Sequence, residues 1–459
     1  MRTPPSALRI ALRSVALVAA LWGASACSTL KATIGSYEVG RDGISRPQQR
    51  LREALSHADF AVALGWSEDD ALLHALNMGV SSYYASQFAR SAAVLDSAAL
   101  LADDRITASI SKDALSMITN DLARPYQPRR TERLFISYYG MLSYARLDRW
   151  EDAAVEARRL SALLAEYATD RNDSEQSTHG ALHYLAGAVF ERAGEKQEAQ
   201  VAYRLARSLM PAADSVLFDR ASNDGEVLVV VERGFVAHRA TESINVFLDD
   251  DDRDSLRSGD RDHTRSVAER IAIAASDGSR DRRRGRKHGR DRDDDDDGYW
   301  LSVAFPSMRR APYHSVQLDA FVDGVSAASS RVATLVDDAI VADERRERTG
   351  IIARAVVRAA AKYAVTKAVK DKKGEVAGTI ANIGASLLER ADVRSWHLLP
   401  QEITLMRMHA PTGPRRIELA LNADASRVDL GPVNVRAGQI AIAAVRIWQN
   451  QAPRVVAAK

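Results

Sequence analysis

The stretch that most constrains this chain is residues 181–211, ALHYLAGAVFERAGEKQEAQVAYRLARSLMP. Its small and apolar residues recur every three or four positions, a spacing that puts them on one face of a helix. The pattern breaks at Ala193-Gly194-Glu195, resumes from Ala199 and stops at Pro211, which cannot continue a helix. The stretch therefore predicts two helices joined by a short turn. Gly187 and Ala199 lack bulk where antiparallel helices must cross, and Phe190 and Tyr203 supply ring-sized contacts beside them.

Gly187, Phe190, Ala199, Tyr203, Ala206 and Pro211 have the spacing of a tetratricopeptide repeat, so the hairpin resembles that family. The resemblance implies partner binding without chemistry. A second copy runs through 135–167, with Tyr144, Trp150, Ala153, Ala157 and Leu160 at the repeat's positions. A weaker one runs through 72–104, with Gly79, Phe88, Ser91, Leu95 and Ala98. Gly79 to Met141 is 62 positions and Met141 to Gly187 is 46, against about 34 for a repeat alone, so insertions separate the copies. Three helical pairs are about the minimum that buries a continuous core by stacking. The alignment places Leu76, Tyr83 and Tyr84, then Phe135, Tyr138 and Arg146, then Tyr184 and Arg192 on the inner face of the first helices. Tyrosine and arginine are enriched in binding hot spots, so this face is expected to form a groove for an envelope or periplasmic protein. The alternative is that the chain's own inserts or second domain fill it.

At the amino terminus, Arg2, Arg9 and Arg13 flank an apolar run at 14–21, followed by Trp22-Gly23-Ala24-Ser25-Ala26 and then Cys27. Residues 1–26 are too short and wrongly flanked for a membrane-spanning helix and read as a secretory signal peptide. Ala24-Ser25-Ala26-Cys27 resembles the lipobox of bacterial lipoproteins, departing from it in Ala24, where Leu is most often found. Cys27 is the only cysteine in the chain, so it has no internal disulfide partner. The resemblance implies lipidation of Cys27, with ordinary cleavage at Ala-Ser-Ala beside an incidental cysteine as the alternative. Ser28 after the cysteine implies the outer membrane, with residues 27–40 as a tether and the body facing mainly the periplasm. Two or more acyl chains anchor firmly, since each buried CH2 contributes ~0.8 kcal/mol.

At 459 residues and 46% hydrophobic composition, two or three ordered domains are expected. The 63 basic and 61 acidic residues nearly cancel and give no global field for nucleic acid. A helical domain at 41–212 is followed, after Asp214, by a change of period. Val227-Leu228-Val229-Val230-Val231 has the length and β-branched content of a buried strand. Further strands are predicted at 244–248, 301–305, 316–322, 403–408, 417–421 and 440–447, which makes 225–450 a β-rich, sandwich-like domain. It carries two insertions. Residues 249–298 mix blocks of both charges, Asp249 to Asp252, Arg282 to Lys287 and Asp293 to Asp297, and cannot bury enough apolar surface to order. Residues 332–389 return to helical period, with Ile352, Ala355, Val356, Ala359 and Tyr363 in one stripe and a break near Asp371 to Gly374. The fold class expected is a multidomain α+β chain, a tetratricopeptide-like helical array followed by the β-rich domain with an inserted helical hairpin.

A second resemblance rests on Pro125-Tyr126-Gln127-Pro128, Glu132, Tyr138-Tyr139, Tyr144 and Val155 to Arg159, together with Ala391-Asp392-Val393-Arg394-Ser395-Trp396 and Leu399-Pro400. With these motifs the chain resembles an uncharacterised family of Gram-negative bacterial lipoproteins containing tetratricopeptide-like repeats. That likeness implies no reaction. No phosphate loop, GxSxG elbow or HExxH motif occurs. His179 and His183 have the spacing for one helix face, but Gly180 stands where a metalloprotease needs its glutamate and no third ligand is evident. No cofactor, metal, nucleic acid or small-molecule substrate is expected. The leading reading is a non-catalytic outer-membrane scaffold, with a role as an accessory of cell-wall synthesis by analogy alone. The alternative is an envelope hydrolase at the seam of the two halves around Asp392, Arg394 and Trp396, residues that could equally form a structural ion pair and a packed ring.

Overall fold

The computed structural model describes residues 44–112, 124–210, 217–218, 224–248, 266, 269–270, 299–373, 391–422, 427–448 and 456–457. The signal peptide, Cys27 and the tether lie outside them, as do 374–390 and almost all of the charged insertion at 249–298. Two compact units are present, Met1–Glu53 and Ala54–Lys459. The described part of the first is residues 44–53, mostly the beginning of α1 (Arg46–Ser56).

The second unit is mixed α+β. After the short α2 (Phe60–Leu64) come three helical pairs: α3 (Ala71–Tyr84) with α4 (Phe88–Lys112), α5 (Arg130–Arg146) with α6 (Trp150–Tyr167), and α7 (Asp173–Ala193) with α8 (Lys196–Leu209). Each helix packs on the next. Local chemistry sets the ends. The Asp70 carboxylate accepts from the N–H groups of Leu72 (2.9 Å) and Leu73 (3.1 Å) to cap α3, and Asn172 and Glu175 form a capping box on α7. Gly194 closes α7 at φ +86°, in the left-handed region where a side chain would be strained.

In each pair a glycine of the first helix meets the second. A Cβ on Gly79 would lie 2.6 Å from Leu95 Cδ2, one on Gly140 3.1 Å from Glu156 Cγ, and one on Gly187 3.0 Å from the Tyr203 ring. In all three pairs the opposing residue follows sixteen positions later. In the middle pair the glycine that meets the partner helix is Gly140, next to Met141, where the sequence alignment placed the repeat's marker. Gly79→Ala is expected to cost about 1–3 kcal/mol by overpacking, partly offset by alanine's ~1 kcal/mol better helix propensity, in a urea unfolding titration. An unchanged midpoint would contradict the close crossing.

Among the described residues the strands form a five-stranded sheet, a four-stranded sheet and a two-stranded pair. In the first sheet the order is β11 (Val456–Ala457), β10 (Ile440–Ile447), β1 (Gly225–Arg233), β7 (Glu402–Ala410) and β6 (Thr334–Leu335). β1 pairs parallel to β10 and antiparallel to β7. The second sheet runs β5 (Val325–Ser330), β4 (Leu318–Val322), β8 (Gly413–Leu421) and β9 (Val428–Val435). The two long strands β2 (His238–Leu248) and β3 (Tyr299–Arg309) pair with each other. α9 (Val336–Lys373) packs against β3, α5 and α7.

Alternation along β1 explains its unbroken apolar run. Val227, Val229 and Val231 join Met406, Met408 and Val445 in a hydrophobic cluster with Leu318, Ala320, Ile417, Leu419 and Leu430 of the second sheet. On the opposite face with Leu228 and Val230, Glu232 accepts from Tyr84 and Tyr138 of the helices, and Glu226 accepts from Arg407 of β7, which in turn donates to Tyr203. The first sheet is therefore a middle layer. Helices cover one side of it and the second sheet covers the other, so both faces of β1 are dry.

Candidate binding cleft at the seam

The aromatic face expected to be an open groove is occupied by the chain's own middle sheet. Leu76, Tyr83, Tyr84, Phe135, Tyr138 and Tyr184 are all buried. Tyr84 donates to Glu232 Oε2 at 2.6 Å and Tyr138 to Glu232 Oε1 at 3.0 Å, and Tyr139 lies 3.0 Å from the Tyr84 hydroxyl. Burial holds all three hydroxyls well above the ordinary phenol range, so they stay protonated. Arg446 of β10 completes the cluster, donating to Tyr84 (3.2 Å) and to the carbonyls of Leu398 and Leu399 (3.2 Å each), under the Trp448 ring. A second fastener joins Arg407 of β7 to Glu226, Glu191 (3.3 Å), Tyr203 (3.2 Å) and Tyr184 (3.4 Å). The remaining two residues assigned to the groove are used locally. Arg146 stacks on Phe88, and Arg192 stacks on Trp150 beside Asp148. The correction has a plain cause: tyrosine hydroxyls suited to a partner's polar groups are equally suited to a carboxylate and a guanidinium from the same chain.

An open cleft of about 560 Å³ lies elsewhere, between the 124–133 segment, the end of α6, the middle of α9 and residues 392–394. Pro125-Tyr126-Gln127-Pro128 and Asp392 with Arg394 are among its walls, so motifs more than 260 residues apart meet in one place. Glu132 ties them together. Its Oε1 accepts from Trp396 N and its Oε2 from Arg129 N, both at 2.8 Å. Asp70 does the same from below, accepting from Arg105 (2.7 Å) and Tyr126 N (2.9 Å). Burial opposes its ionisation, but these bonds outweigh it and hold the Asp70 carboxyl below its ordinary value. Arg394 grips both oxygens of Asp392 (2.8 and 2.7 Å) and donates to the Arg124 carbonyl at 2.9 Å. Trp396 is buried 6.2 Å from Tyr139. Asp392 and Arg394 thus stand at the cleft as an ion pair, while Trp396 packs behind it.

Eight arginines line the cleft, Arg124, Arg129, Arg130, Arg133, Arg239, Arg346, Arg354 and Arg394, against three carboxylates, Glu166, Glu347 and Asp392. Further acids brace the arginines from behind: Glu344 meets Arg129 at 2.5 Å, Asp103 meets Arg133 at 3.0 Å, and Glu175 and Asp343 meet Arg346 at 2.8 and 2.9 Å. Desolvation raises the Asp343 carboxyl to about 6, although it accepts from Thr131 N at 2.8 Å. Arg130 stacks on Tyr167 at 4.9 Å, and Arg133 donates to its hydroxyl. The wall facing the cavity therefore presents more guanidinium than carboxylate, with its arginines held by ion pairs and stacking. It can hold an anion; the one seam carboxylate singled out for catalysis has both oxygens engaged.

Sequence reasoning missed Arg130, Arg133, Tyr167 and Arg346. A signal for two of them exists. Arg129, Arg130 and Arg133 occupy the first turn of α5, the positive end of a helix dipole, where cations are disfavoured unless something else requires them.

His179 and His183 are buried on α7, each with an Nδ1 that has no hydrogen-bond partner. Among the described residues no group of three or more His, Cys, Asp or Glu is arranged to hold a metal, and no helix is long and apolar enough to cross a membrane. What fold and cleft define together is a mixed α+β protein with helices on one side of a central sheet and an arginine-lined cleft at their margin. Comparison with protein-family models, with curated proteins and with solved structures returned no match in any of the three.

Proposed function

We propose that this is a non-catalytic lipoprotein, anchored through Cys27 in the outer membrane and facing mainly the periplasm, that holds an envelope component in its arginine-lined cleft. The observation that carries the reading is the excess of guanidinium over carboxylate on the cleft wall, fixed in place by ion pairs and stacking. The lipobox-like Ala24-Ser25-Ala26-Cys27 supports the anchor. The glycine crossings recurring at a fixed offset in three successive pairs support a divergent tetratricopeptide-like array. In this reading the array has turned inward: its concave face is a wall for the central sheet, and the ligand surface has moved to the margin. Two of the motifs that carry the resemblance to the Gram-negative lipoproteins, 125–128 and 391–396, meet at that margin, which favours it as the working surface. A bound pair at Asp392 and Arg394 favours binding over hydrolysis.

A photo-crosslinking residue at the exposed Gln127, in the cleft, should give an adduct in intact cells, and one at exposed Ser97 on α4 should not. Intact mass of the recovered protein should show an acylated Cys27 as the first residue. Equal labelling at both positions, or none, would remove the cleft from the account; an unmodified amino terminus would remove the anchor.

A further inference from the structure

Asp170 ends the turn after α6 and is half-exposed, with its side chain at 49%. Its carboxylate meets Arg130 Nη1 at 2.6 Å and stands 3.8 Å from Arg346 Nε. One planar two-oxygen group therefore touches two guanidiniums that come from helices more than 200 residues apart. Both arginines line the cleft and are partly exposed, at 31% and 26%. Neither can swing away easily. Arg130 lies over Tyr167, and Arg346 is held by the buried carboxylates of Glu175 and Asp343.

We propose that Arg130 and Arg346 form the anion subsite of the cleft, that its ligand carries a phosphate group, and that Asp170 is an internal stand-in which the phosphate displaces. The inference rests on the cleft being the working surface and adds the class of ligand. A phosphate offers three acceptor oxygens and up to two charges where Asp170 offers two oxygens and one. Forked guanidiniums match phosphate geometry, which favours it in an exchange with a side-chain carboxylate. Arg130 holds the Asp170 carboxyl below its ordinary range, so the stand-in is ionised at neutral pH and competes. Prolines 125, 128 and 306 and Ile351 on the remaining wall suit the uncharged body of a sugar phosphate or of a lipid headgroup with its glycerol.

The test is titration calorimetry on the full mature protein in neutral detergent at low salt, with inorganic pyrophosphate as probe. Asp170→Asn is expected to tighten binding about tenfold, since it removes a like charge at contact distance, and Arg130→Met to weaken it by at least about tenfold. A gain of affinity cannot arise from misfolding, so the first variant keeps the proposal falsifiable if the second is unstable. Competition by glucose 1-phosphate and by dihexanoyl-phosphatidylglycerol below its micelle concentration then separates a sugar phosphate from a lipid headgroup. Pyrophosphate affinity equal in the wild type, Asp170→Asn and Arg130→Met would overturn the subsite. Binding of polyglutamate but of no phosphate would overturn the ligand class and leave the cleft standing. Failure of every anion, with no crosslink at Gln127, would end both.

Discussion

Arg446→Ala is expected to remove about 3–5 kcal/mol of folding stability, the usual cost of deleting one partner of a buried charge cluster. The residue is fully buried. Its guanidinium donates to Gly234, Leu398 and Leu399 carbonyls and to Tyr84, and lies 4.0 Å from Glu232. Alanine would leave Glu232 in a dry interior with only the two tyrosine hydroxyls to balance it, and three carbonyls without this donor. Urea unfolding followed by far-UV circular dichroism reads the loss directly. The double variant Arg446→Met, Glu232→Gln should recover part of it, because no unpaired charge remains. A loss below about 1 kcal/mol for Arg446→Ala would mean that the cluster does not fasten the helices to the sheet.

Acid should loosen the protein through His179 and His183. Burial, and then the nearby positive charge of Arg171, lowers their pKa values to about 3 and about 4. The sign follows from linkage. In the unfolded chain both rings take up protons below about pH 6.5, while in the folded chain they stay neutral until the pH reaches about 4. Their contribution is intact above pH 6.5 and is lost as pH falls, by about 2.7 kcal/mol per pH unit for the two together. Asp343 opposes them. Raised to about 6 by burial, it binds its proton in the folded state first and returns about 1.4 kcal/mol per unit between pH 6 and its ordinary value. Urea midpoints at pH 7.0 and 4.5 should therefore differ strongly in the wild type. The double variant His179→Gln, His183→Gln should lose about 4–5 kcal/mol less over that interval. Identical pH dependence in the two proteins would show that the histidines are not held neutral.

Much of this architecture was readable before any coordinates. Glycine and proline punctuation placed the α7–α8 turn at Gly194, the β-branched run at 227–231 located β1, and the strand predicted at 440–447 is β10. What sequence did not show has physical causes. β5 is built from VSAASS on a sheet edge and is mostly exposed, so it carries no hydrophobic alternation. β9 is interrupted by Gly431-Pro432, which reads as a turn, yet the pairing with β8 absorbs it in a register shift. β2 and β3 extend beyond their apolar centres because each satisfies the other's backbone. For the cleft, Asp392 and Arg394 stood out as a local pair and Pro125 to Pro128 as a motif. Its other arginines come from separate elements, Arg130 and Arg133 from α5, Arg346 and Arg354 from α9 and Arg239 from β2, whose convergence only tertiary packing reveals. The aromatic face was identified by its composition, but composition does not record whether a surface is meant for a neighbour or for a later part of the same polypeptide.

That later part comes very late. Tyr84 meets Arg446 across 362 positions, and the central strand β1 has its parallel companion only in β10. Contacts so distant along the chain slow folding, because the intervening loop must close before any of them forms. During folding, the helical pairs can assemble before β10 docks, with part of their ring-bearing side still uncovered. Until it docks, the chain exposes apolar surface that the finished molecule conceals, and transient exposure of that kind favours aggregation over folding.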